Sequence, residues 1–373
     1  MTSLILFRNR LELTGLPPAG EFSSQKISVC IPARNEEKTL PILLPTVLNQ
    51  KDIPFEVIVL NDGSEDNTAE ILQAFRKEFP DKLKVVEGVE KPDDWLGKPW
   101  ACMQLSRHVS PDSGLILFLD ADTVLKAGTL KKAAAAFEQY HADMITVWPQ
   151  QILLSFWEKT IIPLIYYALM SILPSVYVYR KPRWMPKRIY LRAASSFAAA
   201  NGQCIGFTKN AYEAIGGHEA VKQKIVEDVE LAKAVKRAGF TLRMFHGADS
   251  VLCRMYENHS QIFSGLRKNF LAGFGNSLTI FIAAAILHLI VFIVPFIGLA
   301  WASANPSPFL FSLSAFSVAM ILLHRLMLAV WFRWDPVYSI THPLGVLWFE
   351  WLGLVKIADY LTGRKSTWKG RDV

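Results

Sequence analysis

The sequence predicts an α/β protein: a doubly wound, mostly parallel sheet, followed by long apolar helices. Three observations predict it. Strand and helix signals alternate from residue 26 to residue 148, the order that builds parallel sheets through crossover helices. The strand signals are short continuous apolar runs, which suit strands buried on both faces. Towards the C-terminus the apolar residues gather in uncharged runs long enough to cross a bilayer.

Each element has its own reason. Lys26–Ala33 is an apolar strand that Pro32 tolerates at its end. Asn35 is placed to cap a helix over Glu36–Gln50. Phe55–Leu60 is a second strand, and Ser64 is expected to cap the helix Glu65–Phe79. A strand at Leu83–Glu87 precedes a helix at Lys98–Val109. Gly114-Leu-Ile-Leu-Phe-Leu119 reads as a buried strand running to Asp120, followed by a helix over Ala127–Tyr140 and a strand over Met144–Val147. Cys204–Thr208 is a further strand, and a helix runs from Val226 to Arg237. No internal repeat or low-complexity linker interrupts the order.

Of the 373 residues, 51% are hydrophobic and 12% aromatic, too apolar for an ordinary soluble enzyme. The formal charge of +7 suits nucleic acid, an anionic membrane surface or a polyanionic small substrate. Cys30, Cys102, Cys204 and Cys253 show no metal spacing and read as buried thiols. The N-terminal run Leu4–Phe7 is too short for a leader or a span.

Three C-terminal stretches are membrane candidates. Residues 278–302 contain no charged side chain, and 309–332 contain only Arg325, which is expected to snorkel to the membrane face. Arg267, Lys268 and Arg333 flank the pair and Ser303–Pro308 is uncharged. The positive-inside bias then puts the N-terminal domain in the cytoplasm and the connector outside. Residues 342–361 carry Glu350, Lys356 and Asp359 before a basic tail with Arg364, Lys365, Lys369 and Arg371, and read as an interfacial or re-entrant helix. Ile161–Tyr179 is expected to lie flat on the membrane surface. Arg180–Arg192 mixes six basic residues with Trp184 and Tyr190. Beside membrane helices, that composition favours anionic lipid over nucleic acid. The expected division is an N-terminal segment 1–25, a catalytic part 26–265 with an insertion about 152–192, and a membrane part 266–373.

The chemistry gathers at strand ends. On an extended backbone Asp120 and Asp122 face one side, and two hard carboxylates suit Mg²⁺ or Mn²⁺ shared with a substrate phosphate. A solvated strand end is the competing reading. Ile31-Pro-Ala-Arg-Asn-Glu-Glu37, with Pro32, Ala33, Arg34 and Glu36, ends the first strand where a nucleotide base would rest. Asp62 could accept the N3–H of uracil, although a plain turn explains it as well. Lys98 opens a helix whose N-terminus favours a diphosphate. Asn201, Gly202 and Gln203 could bond sugar hydroxyls, or simply turn the chain. Glu227 and Asp228 open a helix. They complement its dipole or offer a general base to an acceptor.

Taken in order, Pro-Ala-Arg-Asn-Glu-Glu, Asn-Asp-Gly-Ser, Gly-Lys, Asp-Ala-Asp, Asn-Gly-Gln and Glu-Asp resemble the membrane family 2 glycosyltransferases over nearly the whole chain. Trp95-Leu-Gly-Lys98, Arg254-Met-Tyr256, His342-Pro-Leu344 and Trp368-Lys-Gly-Arg371 are similar to one branch. It contains the 4,4'-diaponeurosporenoate and hopanoid-associated glycosyltransferases. The resemblance implies a GT-A fold and inversion at the anomeric carbon. Asp62 would read uridine and Lys98 would hold the nucleotide. Asp120 and Asp122 would bind the metal–diphosphate, and Asp228 would be the base. The chain lacks the Gln-x-x-Arg-Trp motif of processive synthases: Gln261 and Arg267-Lys-Asn269 have the wrong spacing. The N-terminal anchor of the branch is reduced to four apolar residues.

The expected reaction is transfer of one hexose, glucose from UDP-glucose, to a membrane lipid such as a carotenoid, a hopanoid or another lipid. A transferase to polyprenyl phosphate and a non-catalytic lipid-binding scaffold are the alternatives. The expected location is the cell membrane, multi-pass, with no nucleic-acid partner.

Overall fold

A computed structural model describes residues 2–18, 25–271, 274, 277–362, 367–368 and 371–372. The expected tail cations Arg364, Lys365 and Lys369 lie outside the described residues. The chain forms two compact units, a sheet unit (Arg8–Ile152 and Pro174–Met255) and a helical unit (Met1–Phe7, Leu153–Leu173 and Tyr256–Val373). Helix α1 (Thr2–Glu12) has residues in both.

In chain order, β1 (Lys26–Ala33), α2 (Leu40–Leu48), β2 (Phe55–Asn61), α3 (Thr68–Glu78), β3 (Leu83–Glu87), α4 (Gly97–Arg107) and β4 (Ser113–Leu119) alternate as the apolar pattern predicts. There follow β5 (Thr123–Leu125), α5 (Thr129–Gln139), β6 (Met144–Trp148), β7 (Gln150–Gln151) and α6 (Phe156–Ile172), the last belonging to the helical unit. Next come α7 (Val176–Tyr179), α8 (Lys187–Phe197), β8 (Cys204–Thr208), α9 (Lys209–Ala214), α10 (Glu227–Arg237), β9 (Leu242–His246) and β10 (Val251–Cys253).

The main sheet has the order β3-β2-β1-β4-β8-β6-β9. All neighbours pair parallel except β8, which runs antiparallel between β4 and β6, with Leu117 opposite Gly206 and Thr146 opposite Ile205. Val29, Ile31, Val57, Val59, Leu117 and Ile145 from the strands share one buried core with Leu43, Leu44 and Leu72 from the helices. A second sheet, β5-β10-β7, was not legible as strands because its members are two or three residues long.

Two expected caps do not form. Asn35 takes a left-handed backbone (φ 53°) and accepts from Glu65 N at 2.8 Å. It therefore ties the β1 turn to the β2 turn, and α2 begins later, at Leu40. Ser64 accepts from Asn35 N at 3.0 Å, so α3 starts only at Thr68. Both residues satisfy loop donors across the catalytic edge instead of helix ends.

In the helical unit, α6 opens on a capping box, with Glu158 N donating to Ser155 and the Glu158 carboxylate accepting from Ser155 N. Most of its side chains are buried, and it packs on α14 (Pro308–Phe332) and α15 (His342–Thr362). The remaining helices are α11 (His259–Asn269), α12 (Leu278–Phe292) and α13 (Val294–Ala304). Residues 278–304 and 308–332 are long and apolar enough to cross a membrane by length and composition. Only 6% of the first window is buried, so it turns apolar side chains outward on all sides. Pro295 marks the break between α12 and α13. Arg325 does not snorkel: it is buried and donates to the Tyr338 carbonyl at 3.3 Å, because η-turn Pro336–Thr341 folds back over it. The acids of α15 are answered within the unit, Glu350 by His288 Nδ1 at 2.7 Å and Asp359 by Arg267 Nε at 2.7 Å.

Candidate active site

The carboxyl ends of β1, β2 and β4 lie at one edge of the sheet, where open α/β folds bind ligands. Because β8 is antiparallel, its first residues arrive at that same edge, and Asp120 N donates to the Gln203 carbonyl at 3.1 Å.

Arg34 leaves β1 and binds the next turn, donating through Nη1 to the Asp62 carbonyl at 2.8 Å and to that of Gly63 at 3.2 Å. Asp62 is buried, and its N–H donates to the Ala33 carbonyl at 2.8 Å. Pro32, Ala33, Arg34, Glu36 and Asp62 therefore form one wall. Glu36 N donates to Thr68, and the Glu36 carboxylate accepts from Thr39 at 2.7 Å.

Lys98 stands in the first turn of α4 and bridges two acids. Its Nζ lies 2.7 Å from Asp120 and 3.2 Å from Glu227. Burial opposes its charge, but Asp120 and Glu227 outweigh that and hold the ammonium well above its ordinary range. Two carboxylates far apart in sequence are thus drawn onto one cation.

Asp120 and Asp122 do not sit on an extended backbone. The strand ends at Leu119, and Thr123 folds back so that both its N–H (3.2 Å) and its hydroxyl (2.8 Å) donate to the Asp120 carbonyl. The same-side argument from strand geometry therefore gives way to a tight turn. The two carboxylates still feel one another. Burial, Asp120 and Glu36 raise the Asp122 carboxyl to about 7. Asp122 Oδ1 is buried and has no hydrogen-bond partner among the described residues.

That orphaned oxygen is the observation against which a metal can be tested. Among the described residues no group of three or more His, Cys, Asp or Glu is placed to hold an ion. Two hard carboxylates, one of them with an oxygen left unpaired, nevertheless fit Mg²⁺ or Mn²⁺ completed by substrate phosphate oxygens and water.

Asp228 opens α10 beside Glu227. Its Oδ2 accepts from Gly202 N at 2.7 Å and its Oδ1 from Val229 N at 2.8 Å. Burial, with Glu227 next to it, raises its pKa to about 7. Gly202 is closely approached: a Cβ there would lie 3.1 Å from both Asp228 Oδ2 and Lys98 Nζ. Asn201 N donates to Thr146 at 2.9 Å, and Asn201 Oδ1 accepts from Gln203 N. Gln203 differs from its neighbours. Its amide is buried, accepting from Gln151 and donating to Cys253 Sγ, each at 2.8 Å. Its side chain is thereby committed to the residues beneath the turn.

The structure so brings Lys98, Asp120, Glu227, Asp228 and Gly202 into contact, with Asp122 against Asp120. Two participants had no legible signal. Gln151 and Cys253 come from the short strands β7 and β10, which only the second sheet places under the turn.

Residues 28–215 match glycosyl transferase family 2, and residues 185–371 match glycosyl transferase family 21. Among curated proteins, the 4,4'-diaponeurosporenoate glycosyltransferase of Staphylococcus aureus (strain MRSA252) is 26% identical over 94% of this chain and 88% of its own. That of Staphylococcus haemolyticus (strain JCSC1435) is 30% identical over 74% of this chain and 70% of its own. Among solved structures, the mannosyltransferase PcManGT from Pyrobaculum calidifontis, in complex with GDP-Man and Mn²⁺, is 20% identical. It covers 93% of this chain and 94% of its own, with a TM-score of 0.52, and so shares the GT-A-like fold. With the family match spanning half the chain and a close relative at 30% identity, the chain belongs to glycosyl transferase family 2 and is an enzyme of glycosyl transfer.

Proposed function

We propose that the chain transfers one hexose, glucose from UDP-glucose, to a membrane lipid, with inversion and with help from a divalent metal. The observation that carries the reading is the meeting of Lys98, Asp120, Glu227 and Asp228 at one sheet edge. The same chain carries a helical unit with an outward apolar surface.

Each residue has a task in this reading. Pro32, Ala33, Arg34 and Glu36 would line the base, and Asp62 would accept the uracil N3–H. Lys98 would exchange Asp120 for the diphosphate. Asn201 and Gly202 would line the sugar, with Gln203 holding that turn from beneath. Asp120 and Asp122 would hold Mg²⁺ or Mn²⁺, which when bound neutralises charge on departing UDP. Asp228 would take the proton of an acceptor hydroxyl, with Glu227 kept on Lys98. The catalytic part, 26–265, would face the cytoplasm. Spans at 278–302 and 309–332 would hold it at the membrane, with 342–361 interfacial, following the basic flanks Arg267, Lys268 and Arg333. The stretch Arg180–Arg192 would meet anionic lipid.

A carboxylate acceptor is the second reading. The relatives are named for 4,4'-diaponeurosporenoate, an acid anion that needs no base. The test is purified protein with UDP-glucose and lipid extract, with EDTA and then with Mg²⁺ or Mn²⁺ restored. UDP release that depends on lipid, on metal and on Asp122, with a glycosylated lipid seen by mass spectrometry, is expected. Lipid-independent release alone, or full turnover in EDTA, overturns the reading.

A further inference from the structure

A second concentration of polar groups lies in the helical unit. His324 and Arg325 sit in the later half of α14, and His342 opens α15. Their exposures are 7%, 3% and 1%. The walls are aromatic. The His342 ring lies 5.1 Å from Phe292 and 5.4 Å from Tyr167, and the Tyr167 hydroxyl is 2.9 Å from His324 Nδ1.

Little answers what remains. Arg325 uses Nη2 on the Tyr338 carbonyl, but among the described residues its Nε and Nη1 have no hydrogen-bond partner. Neither has His324 Nε2, nor either ring nitrogen of His342. The α15 acids are occupied elsewhere, by His288 and Arg267. A guanidinium stays charged and carries five donors. Leaving it in an apolar interior without a counter-charge is costly, and buried polar groups normally find partners. Ionisable residues among helices of membrane length are rare and mark sites. What these atoms lack is an anion with several acceptor oxygens, since two nitrogens of Arg325 are open and the imidazoles offer more.

We infer that Arg325, His324 and His342 form a binding site for the oxyanion headgroup, carboxylate or phosphate, of a membrane amphiphile. The apolar outer surface of residues 278–304 would accommodate the chains of such a molecule, which a free anion has no use for. The inference takes from the membrane reading only the source of the anion, and does not depend on which lipid is glycosylated.

The full chain in neutral detergent is titrated with a short-chain phosphatidic acid, a long-chain fatty acid, inorganic phosphate and a diacylglycerol of matched chains. Binding is read by native mass spectrometry and by the shift in melting temperature. At least one acidic amphiphile should bind about tenfold or more tightly than the neutral one. Arg325→Met should lose that preference, yet melt at or above the wild-type temperature without ligand, because an unanswered buried charge is gone. Arg325→Lys should retain much of the preference. His342→Phe, which leaves the guanidinium in place, should weaken it several-fold. A wild type without preference overturns the inference, as does an Arg325→Met protein that keeps it. Inorganic phosphate binding as tightly as the amphiphiles overturns the assignment to a lipid headgroup.

Discussion

Replacing Asp228 by Asn has two separable consequences. It removes a base, and positioned bases contribute roughly 10²–10⁴-fold to rate. It also changes the hydrogen bonding. Both carboxylate oxygens now accept a backbone N–H, from Gly202 and from Val229. An amide offers one oxygen and a donor nitrogen, so one of the two N–H groups loses its acceptor, at about 1–3 kcal/mol. The variant should therefore transfer roughly 10²–10⁴-fold more slowly and melt lower, while UDP-glucose affinity changes little. Single-turnover transfer to lipid extract, run beside UDP-glucose binding, measures both. The wild type adds a check through pH. With the carboxyl raised from 3.8 to about 7, transfer should climb with pH and level off above 7. Two units below that midpoint only about 1% of the base is ionised, so the rate should be about a hundredfold under its plateau. The stability term has the opposite sign. A raised acid contributes stability below its unfolded pKa and loses it as pH rises through the folded one, here from 3.8 to about 7. Loss of activity on the acid side is thus distinct from unfolding. Wild-type transfer by Asp228→Asn, or a flat profile, would place the base elsewhere or make the acceptor an anion already.

Asp122→Ala should be inactive and insensitive to restored Mg²⁺ or Mn²⁺ after EDTA; activity of this variant in chelator would refute the metal assignment. Lys98→Met removes the cation between Asp120 and Glu227 and should lower kcat/KM by about 10²-fold, measured with UDP-glucose as the varied substrate. Gly345→Ala would drive its new carbon into the Leu164 side chain and to 3.1 Å from the Thr160 carbonyl; melting in detergent should show a loss of about 1–3 kcal/mol. Cysteine-accessibility labelling should find residues 303–308 outside, and an inaccessible connector would argue against the two-span reading.

Much of the sheet was readable because strands such as β1 and β4 are apolar runs bounded by turn residues, whereas β9, broken by Arg243, was not. The acids and Lys98 were readable because each closes a strand or opens a helix. What escaped depends on tertiary pairing. Nothing local distinguishes Gln150–Gln151 from a loop, since two residues have no periodicity. Asn35 and Ser64 carry ordinary capping chemistry, and only the approach of two loops redirects it. The Asp120 turn likewise depends on the Thr123 hydroxyl, which propensity cannot aim. Arg325 looks like a helix-end cation in sequence. Its burial follows from the fold-back of residues 336–341 and the packing of α6.

The reversed direction of β8 has a consequence for how this scaffold can change. Parallel neighbours require a return across a sheet face, which fixes much of the linking chain. Here β6 ends and β8 begins at the same edge, so the path from Ile152 to Ala200 starts and finishes at the catalytic mouth. Its length and content are free of the sheet's registers. Insertion or trimming between its helices leaves Asp62, Lys98 and Asp120 in place, because their turns and α4 lie outside the path, whereas α6 within it is tied to α14 and α15.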